Sequence, residues 1–258
     1  MPVRIFIVTD LEGISGIGQW DQILPENTEE YQKSCEHLME DVNAAVQGAL
    51  DGGAEQVVVL DGHGGGNNFL PGKLHPGATQ ETDPYPGCLA KGFDAMYLIG
   101  YHAMAGTIGA FLDHTQSSLA WYNYYVNGRR TGEIGQMALA AAAFSRPVVL
   151  VTGDEAACFE ARQFLGEVET VAVKRATSRN FAQLTDPAKA REAIYHAAKT
   201  AISFVDKIPP FRPILPMELR LELCRADYAE AVLSHPGVER LDARTLRKIS
   251  TWYGDYLF

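Results

Sequence analysis

Three successive apolar segments of this chain end in glycine and in side chains that commonly bind metal ions. The first segment, residues 3–8, leads into Asp10 and Glu12, the second ends shortly before His63, and the third ends shortly before His102. In a sheet of parallel strands, the carboxyl ends of the strands form one edge, and binding sites lie beyond that edge. The repeated pattern therefore predicts an α/β fold in which polar groups distant in sequence meet at one place.

The order of the predicted elements favours a mostly parallel sheet flanked by helices in three layers. The predicted strands cover residues 3–9, 56–60, 95–99, 120–126, 147–152, 169–173, 214–223 and 246–253. The predicted helices cover residues 28–50, 132–144, 155–165, 186–205 and 227–234. Proline-rich residues 209–213 cannot form a helix or a central strand, so they are interpreted as a linker. We therefore predict an α/β metal-binding catalytic domain at 1–208 and a small C-terminal α+β subdomain at 209–258.

Local turn and cap residues add detail to this outline. Asn127-Gly128 follows an aromatic strand and predicts a β-hairpin, because a type I′ turn needs positive φ at both of its central positions. Asp154 precedes a helix and is expected to cap it. Residues 71–86 are rich in proline and are predicted to form a loop.

Composition excludes several classes of partner. The formal net charge of the 258-residue chain is −10, and no basic block is available to neutralise nucleic-acid phosphates or an anionic membrane surface. No apolar run approaches the roughly 18 residues of a membrane-spanning helix, and the first apolar run is too short for a signal peptide. Four cysteines without a CxxC pair are typical of free thiols in a reducing cytosol, so we expect a cytoplasmic protein.

The strand ends and one helix start together predict a dinuclear metal site. Asp10 and Glu12 are two residues apart on extended backbone and point to the same side. Glu133 lies in the first turn of a helix, whose start is expected at the same sheet edge as His63 and His102. These five ligands exceed what one tetrahedral ion usually takes, but two divalent ions about 3.5–4 Å apart would use them all. Imidazole and carboxylate ligands without thiolate favour Zn²⁺ over Mg²⁺, and Asp10 is our choice for the bridging carboxylate.

His114 allows three interpretations. It is a sixth ligand, a free acid/base or nucleophilic group beside the metals, or an ordinary buried histidine. The catalytic role is preferred, because the metals already have enough ligands and imidazole suits proton transfer near neutral pH. Lys174, Ser178 and Arg179 either supply positive charge and hydrogen bonds to a substrate or are surface and capping residues after a strand.

A set of motifs spanning the chain to about residue 203 resembles the DppA-type zinc D-aminopeptidases. The motifs are Thr9-Asp10-Leu11-Glu12-Gly13-Ile14-Ser15-Gly16, Asp61-Gly62-His63 with Asn67-Asn68, Leu74-His75-Pro76, Gly100-Tyr101-His102-Ala103, Asp113-His114, Asn127-Gly128 with Gly132-Glu133 and Gly135, Gly153-Asp154, and Val173-Lys174 with Ser178-Arg179. The resemblance implies two zinc ions held by Asp10, Glu12, His63, His102 and Glu133, with Asp10 bridging them. It also places His114 at the catalytic histidine of the family and implies a ring-shaped homo-oligomer, a decamer in the best-known member.

The resulting hypothesis is a dizinc aminopeptidase that acts on short peptides or aminoacyl amides, with D-Ala-type substrates implied by the resemblance. A metal-bridging water or hydroxide attacks the first carbonyl, assisted by His114. One alternative is a metal-dependent phosphoesterase, because Gly64-Gly65-Gly66 after a strand could cradle a phosphate, although no Gly-Lys-Ser/Thr of a P-loop follows. The other alternative is a non-catalytic peptide-binding protein that keeps the metal for stability.

Overall fold

The computed structural model of the protein describes residues 2–83 and 87–258. The strands are β1 (Val3–Thr9), β2 (Ala54–Asp61), β3 (Ala78–Glu81), β4 (Ala95–Tyr101), β5 (Trp121–Val126), β6 (Arg129–Arg130), β7 (Val148–Asp154), β8 (Glu169–Ser178), β9 (Phe181–Leu184), β10 (Met217–Leu223), β11 (Val238–Arg240) and β12 (Thr245–Ser250). The α-helices are α1 (Thr28–Asp51), α2 (Glu133–Ala143), α3 (Glu155–Leu165), α4 (Pro187–Ala201) and α5 (Ala226–Val232). Among the described residues, no helix combines the length and apolar character needed to cross a bilayer.

The predicted strands and helices are all present, and the sequence patterns missed only sheet edges. Strands β3, β9 and β11 lie at the outer edges of their sheets and are three or four residues long. An edge strand with little buried surface needs no apolar run, so it leaves no strong pattern in the sequence. The loop prediction for residues 71–86 is therefore wrong at β3, and residues 84–86 of that loop lie outside the described residues. Asp154 caps α3 as predicted, because its Oδ1 accepts a hydrogen bond from the Ala157 backbone N–H at 2.8 Å.

The larger sheet positions the site. Its seven strands have the order β3-β2-β1-β4-β7-β8-β9, and every pair is parallel except β8 with β9. From β1 the chain adds β2 and β3 on one side and then returns to place β4 on the other side. The switch point between β1 and β4 is where α/β sheets form their ligand sites.

Both faces of this sheet are covered, which confirms the predicted α/β fold with flanking helices. Along β1, Ile5 and Ile7 pack against α1 and α4, whereas Phe6 and Val8 face α2, α3 and a second sheet. Side chains alternate along a strand, so one apolar strand contributes to two separate cores. The central strands are buried on both faces, so each contains a continuous run of apolar residues.

The second sheet is antiparallel, with the order β11-β12-β10-β5-β6. The predicted hairpin is present, and Asn127 and Gly128 have φ of 49° and 77°. Strand β5 pairs with β10, so this sheet combines strands from both sides of residue 208. The division into 1–208 and 209–258 remains a prediction, but the C-terminal strands share hydrogen bonds with the hairpin that precedes α2.

Candidate metal centre

The loop after β1 carries Asp10 and Glu12 against the end of β4. The Asp10 backbone N–H donates to the Ile99 carbonyl at 2.8 Å, and the Gly13 N–H donates to the Gly100 carbonyl at 2.7 Å. A Cβ at Gly13 would lie 2.1 Å from the Tyr101 carbonyl oxygen, so only glycine allows this approach. Both carboxylates are almost completely buried.

Two buried groups of opposite polarity hold this loop. On one side, the Asp41 carboxylate of α1 accepts hydrogen bonds from the Ser15 backbone N–H at 2.8 Å and from the Ser15 hydroxyl at 2.5 Å. On the other side, the Lys174 Nζ atom of β8 donates to the carbonyls of Glu12 and Ile17, both at 2.6 Å. The Asp41 carboxylate thus binds hydrogen-bond donors of the loop, and the Lys174 side chain binds two of its backbone carbonyls.

We expect Lys174→Met to destabilise the protein strongly, because it leaves the Glu12 and Ile17 carbonyls buried without a donor. Each unsatisfied buried polar group costs about 1–3 kcal/mol, so the loss in the free energy of unfolding is roughly 2–6 kcal/mol. Urea unfolding of the zinc-free protein measures it, with Lys199→Met on the exposed face of α4 as the matched control. A Lys174→Met protein as stable as the control would contradict this account of the loop.

His63 follows β2 in a short 3-10 turn, His63–Gly65. Asn68 fixes this turn, because its side-chain amide donates to Asp61 Oδ1 at 2.9 Å and to the His63 carbonyl at 2.7 Å. The Nδ1 atom of His63 then lies 2.9 Å from Asp10 Oδ1 and 3.1 Å from Glu12 Oε2. His63 therefore meets both carboxylates of the first loop.

His102 follows β4 and meets Glu133 at the start of α2. Its Nδ1 lies 3.0 Å from the Ala103 carbonyl, which can only accept, so Nδ1 carries the proton and Nε2 has a free lone pair in the neutral ring. This Nε2 atom is 3.3 Å from Asp10 Oδ2 and 3.4 Å from Glu133 Oε1. Glu133 is oriented by the Gln116 backbone N–H, which donates to Oε1 at 2.7 Å.

His114 stacks on His102, with the ring centres 3.9 Å apart and the planes 12° from parallel. Its Nδ1 lies 2.9 Å from the Leu112 carbonyl, so Nε2 is again the free nitrogen. The Nε2 atom lies 3.8 Å from Glu133 Oε1 and 4.0 Å from Glu12 Oε1. Leu112 adopts a left-handed conformation, with φ of 52°, and such strain in a non-glycine residue often accompanies functional sites.

The charges of the cluster are strongly coupled. Burial lowers the pKa of His63, but Glu12 and Asp10 outweigh it and raise the pKa to about 12. Burial likewise opposes protonation of His102, but Glu133 and Asp10 raise its pKa well above the ordinary value. Burial raises the pKa of Asp10, but the neighbouring imidazoles of His102 and His63 outweigh it and lower the pKa. Protonated imidazoles therefore supply the positive charge that the carboxylates require in the zinc-free protein.

The six predicted side chains thus lie together, whereas three further candidates lie elsewhere. Lys174 is buried beneath the loop that carries Glu12 and binds backbone carbonyls. Arg179 pairs through Nε with Asp113 Oδ1 at 3.1 Å, and Ser178 is exposed. None of the three lines the cavity beside the cluster. Their interpretation as substrate contacts therefore finds no support in the structure.

Sequence reasoning missed the residues that support the cluster. The sequence could have indicated that Asp41 is buried, because it lies within the apolar face of α1 that is formed by Leu38, Val42 and Ala45. A buried acid on such a face needs a partner. Glu160 had the same pattern, because it lies on the apolar face of α3 that is formed by Ala157, Ala161 and Phe164. Its Oε2 accepts from the Met104 backbone N–H at 2.7 Å and holds the loop after His102.

A cavity of about 640 Å³ opens beside the cluster. Its lining combines polar residues, which include Asp61, the glycines of the His63 turn and Glu81, with apolar residues. The apolar lining includes Val8, Tyr101, Met137, Tyr256 and Leu257, which belong to or pack against the core between the larger sheet and the second sheet. Within the described part of the chain, no lysine or arginine lines this cavity. It suits an uncharged or cationic ligand with an apolar side chain.

Comparisons with known proteins identify the family of this chain. The family model for D-aminopeptidases, Peptidase M55, matches residues 3–256. A D-aminopeptidase of Bacillus subtilis (strain 168) is 31% identical, over 92% of this chain and 87% of its own length. The solved structure of the Zn-dependent D-aminopeptidase DppA from Bacillus subtilis, described as a self-compartmentalizing protease, superposes with a TM-score of 0.91. That match has 28% identity and covers 98% of this chain and 94% of the other.

The resemblance predicted from the motifs is confirmed, as is the prediction of a metallo-aminopeptidase. The match extends beyond residue 203, where the motif resemblance ended, into the second sheet. With the family model covering nearly the whole chain, and a solved relative that shares its fold, this chain belongs to the Peptidase M55 family of D-aminopeptidases.

Proposed function

We propose that this protein is a dizinc aminopeptidase that removes the N-terminal residue, of D configuration, from short peptides or aminoacyl amides. One observation carries the proposal. Two groups of donor atoms share Asp10, whose Oδ1 faces His63 and whose Oδ2 faces His102. Glu12 belongs to the first group and Glu133 to the second. A carboxylate with one oxygen in each group is what a bridging ligand requires.

The donor set fits zinc. Asp10 Oδ2, Glu12 Oε2 and His102 Nε2 are buried and have no hydrogen-bond partner of good geometry within residues 2–83 and 87–258. Buried polar atoms without partners are rare in native proteins and are typical of sites that take an ion. Imidazole and carboxylate donors without thiolate suit Zn²⁺, and the Bacillus subtilis relative of known structure is Zn-dependent. We therefore propose that Asp10, Glu12, His63, His102 and Glu133 hold two zinc ions per chain.

The proposed reaction needs one proton carrier, and we assign it to His114. Two zinc ions would supply a water molecule of lowered pKa and polarise the scissile carbonyl. His114 Nδ1 is held by the Leu112 carbonyl, which leaves Nε2 to accept a proton from the attacking water and to return it to the departing amine nitrogen. Stacking on His102 fixes the ring beside the donor atoms.

The phosphoesterase alternative receives no support from the cavity. Asp61, Glu81 and Asp83 line its described part, and no lysine or arginine there could pair with a phosphate ester. Glu81 and Asp83 pair with Lys91, which itself does not line the cavity. Such walls favour a substrate with a free ammonium group over a phosphomonoester.

Hydrolysis assays with the zinc-loaded protein test the proposal. We expect turnover of D-alanine p-nitroanilide, much slower turnover of the L-alanine analogue, and loss of activity after chelation that added zinc restores. p-Nitrophenyl phosphate, assayed with the same sample, should remain intact. Phosphatase activity without anilide hydrolysis would favour the rival enzyme, and zinc binding without any hydrolysis would favour a peptide-binding protein.

Zinc binding is expected to release protons near neutral pH. His63 and His102 are protonated in the zinc-free protein because their pKa values are raised, whereas a zinc ligand must be neutral imidazole. About two protons should therefore leave per chain, and the apparent affinity should rise with pH. Calorimetry in buffers of different ionisation enthalpy measures the number. His63→Ala should release about one proton fewer, and binding that is independent of the buffer would contradict the raised pKa values.

We also propose that the chain assembles into a ring-shaped homo-oligomer, with a decamer as the expected size, and that it is cytoplasmic. The relative described as self-compartmentalizing supports assembly. Ile108 and Leu119 are 99% and 76% exposed on the segment that carries His114, and large apolar side chains in such positions often mark contacts between subunits. The four free cysteines suit a reducing compartment. Light scattering coupled to size exclusion should give about ten times the chain mass, and a monomer would contradict the ring.

A further inference from the structure

The cavity beside the metal centre has an apolar wall, which consists of Val8, Tyr101, Met137, Tyr256 and Leu257. The proposed metal binding does not require these residues. Three residues of the wall follow from the positions of the proposed ligands, and one of them, Tyr101, directly precedes His102 at the end of β4. Val8 lies two residues before Asp10 on the same side of β1, and Met137 lies one helical turn after Glu133 on the same face of α2. The apolar wall therefore adjoins both proposed zinc positions.

The rest of the wall comes from the segment after β12. Tyr256 is buried and Leu257 is half-buried, and both line the cavity. Neither belongs to the sheet that carries Asp10, His63 and His102, and both belong to or pack against the core between that sheet and the second sheet. The segment after β12 is thus separate in sequence from every proposed metal ligand.

Several contacts hold this segment in place. The Tyr124 hydroxyl donates to the Tyr256 carbonyl at 2.5 Å, and Lys248 Nζ donates to the Leu257 carbonyl at 3.0 Å. The Phe258 ring packs edge-on against Trp121 and Tyr124, with ring centres 6.4 and 6.3 Å away. A segment anchored on both sides of Leu257 presents a wall of fixed position.

We infer that Leu257, together with the buried Tyr256, limits the size of the side chain on the N-terminal substrate residue. The inference rests on the proposed aminopeptidase function. In that reaction the side chain is attached to the carbon between the scissile carbonyl and the free amine, so it must lie close to the metal centre. The polar wall with its carboxylates disfavours an apolar side chain, whereas the wall of Val8, Met137 and Leu257 accommodates one.

The test substitutes Leu257, because this residue is half-buried and its replacement disturbs the core less than replacement of the buried Tyr256. Leu257→Ala should increase the ratio of kcat/KM for D-phenylalanine p-nitroanilide to that for D-alanine p-nitroanilide by about 10-fold or more, the range typical of a few methylene groups in a pocket. Leu257→Phe should lower the same ratio, and most of each change should appear in KM. Leu241→Ala, an exposed leucine that does not line the cavity, is the matched control.

A binding measurement separates this inference from the proposed function. Hydroxamates of D-alanine and D-phenylalanine, titrated into the zinc-loaded proteins, should show the same change in the ratio of Kd values. The wild type could hydrolyse no anilide while the Leu257 variants still change the ratio of the two hydroxamate Kd values. In that case the proposed function fails and the assignment of the wall stands. If both ratios stay within about twofold of the control in both variants, or if neither hydroxamate binds the wild type, the wall assignment is overturned.

Discussion

Asp10→Asn is expected to abolish peptidase activity and to lower the zinc content below two ions per chain. The Asp10 carboxylate has one oxygen 2.9 Å from His63 and the other 3.3 Å from His102, so it is the side chain that both halves of the proposed site share. An amide nitrogen in place of one oxygen removes a ligand atom and directs donors at a histidine. The loss of activity should exceed the roughly 100-fold that outer-shell partners of a metal cost.

Elemental analysis and initial rates check this prediction on the same sample. Asp206→Asn removes the same charge from an exposed position and should keep both zinc and activity. Circular dichroism of the Asp10→Asn protein distinguishes loss of metal from loss of fold. An Asp10→Asn protein that retains two zinc ions and full turnover would remove the basis for a bridging carboxylate.

His114→Gln is expected to lower kcat by about 100- to 10,000-fold, the usual contribution of a positioned acid/base group, while zinc content stays at two per chain. Glutamine can still donate to the Leu112 carbonyl, which now lies 2.9 Å from His114 Nδ1, but it cannot exchange a proton near neutral pH. Because binding of the substrate does not depend on this proton transfer, KM should change little.

The metal content decides between the interpretations of His114 that its sequence position left open. Loss of zinc in His114→Gln would make His114 a sixth ligand, and full kcat would make it an ordinary partly buried histidine. His196→Gln, in an exposed position on α4, is the matched control and should change neither quantity. Metal content and kcat, measured together, therefore identify one role for the residue.

Much of the fold could be predicted because the central strands contain continuous apolar runs. Strands such as β4 and β7 are buried on both faces, and each begins with such a run. The convergence of Asp10, His63 and His102 followed from the rule for parallel strand ends, and a single sequence sufficed for it. The edge strand β3 could not be predicted, because its polar residues resemble those of a loop.

The support of the site depends on contacts between residues that are far apart in sequence. Lys174 binds the carbonyls of Glu12 and Ile17 across more than 150 positions, and no local pattern indicates that partnership. The stacking of His114 on His102 depends on the path of a loop with a left-handed Leu112. Tyr256 and Leu257 reach the cavity only because β5 and β10 belong to one sheet. Such pairings are decided by tertiary packing, which periodicity does not describe.

The second sheet combines β5 with the later strand β10, and this pairing affects the order in which parts of a newly made chain can fold. The hairpin of β5 and β6 lies directly between the segment that carries His114 and the helix that begins with Glu133. A two-stranded hairpin alone is marginally stable in water, and its main partner β10 leaves the ribosome some ninety residues later. The segments that carry His114 and Glu133 are therefore expected to become fully ordered only after β10 has been made and has paired with β5.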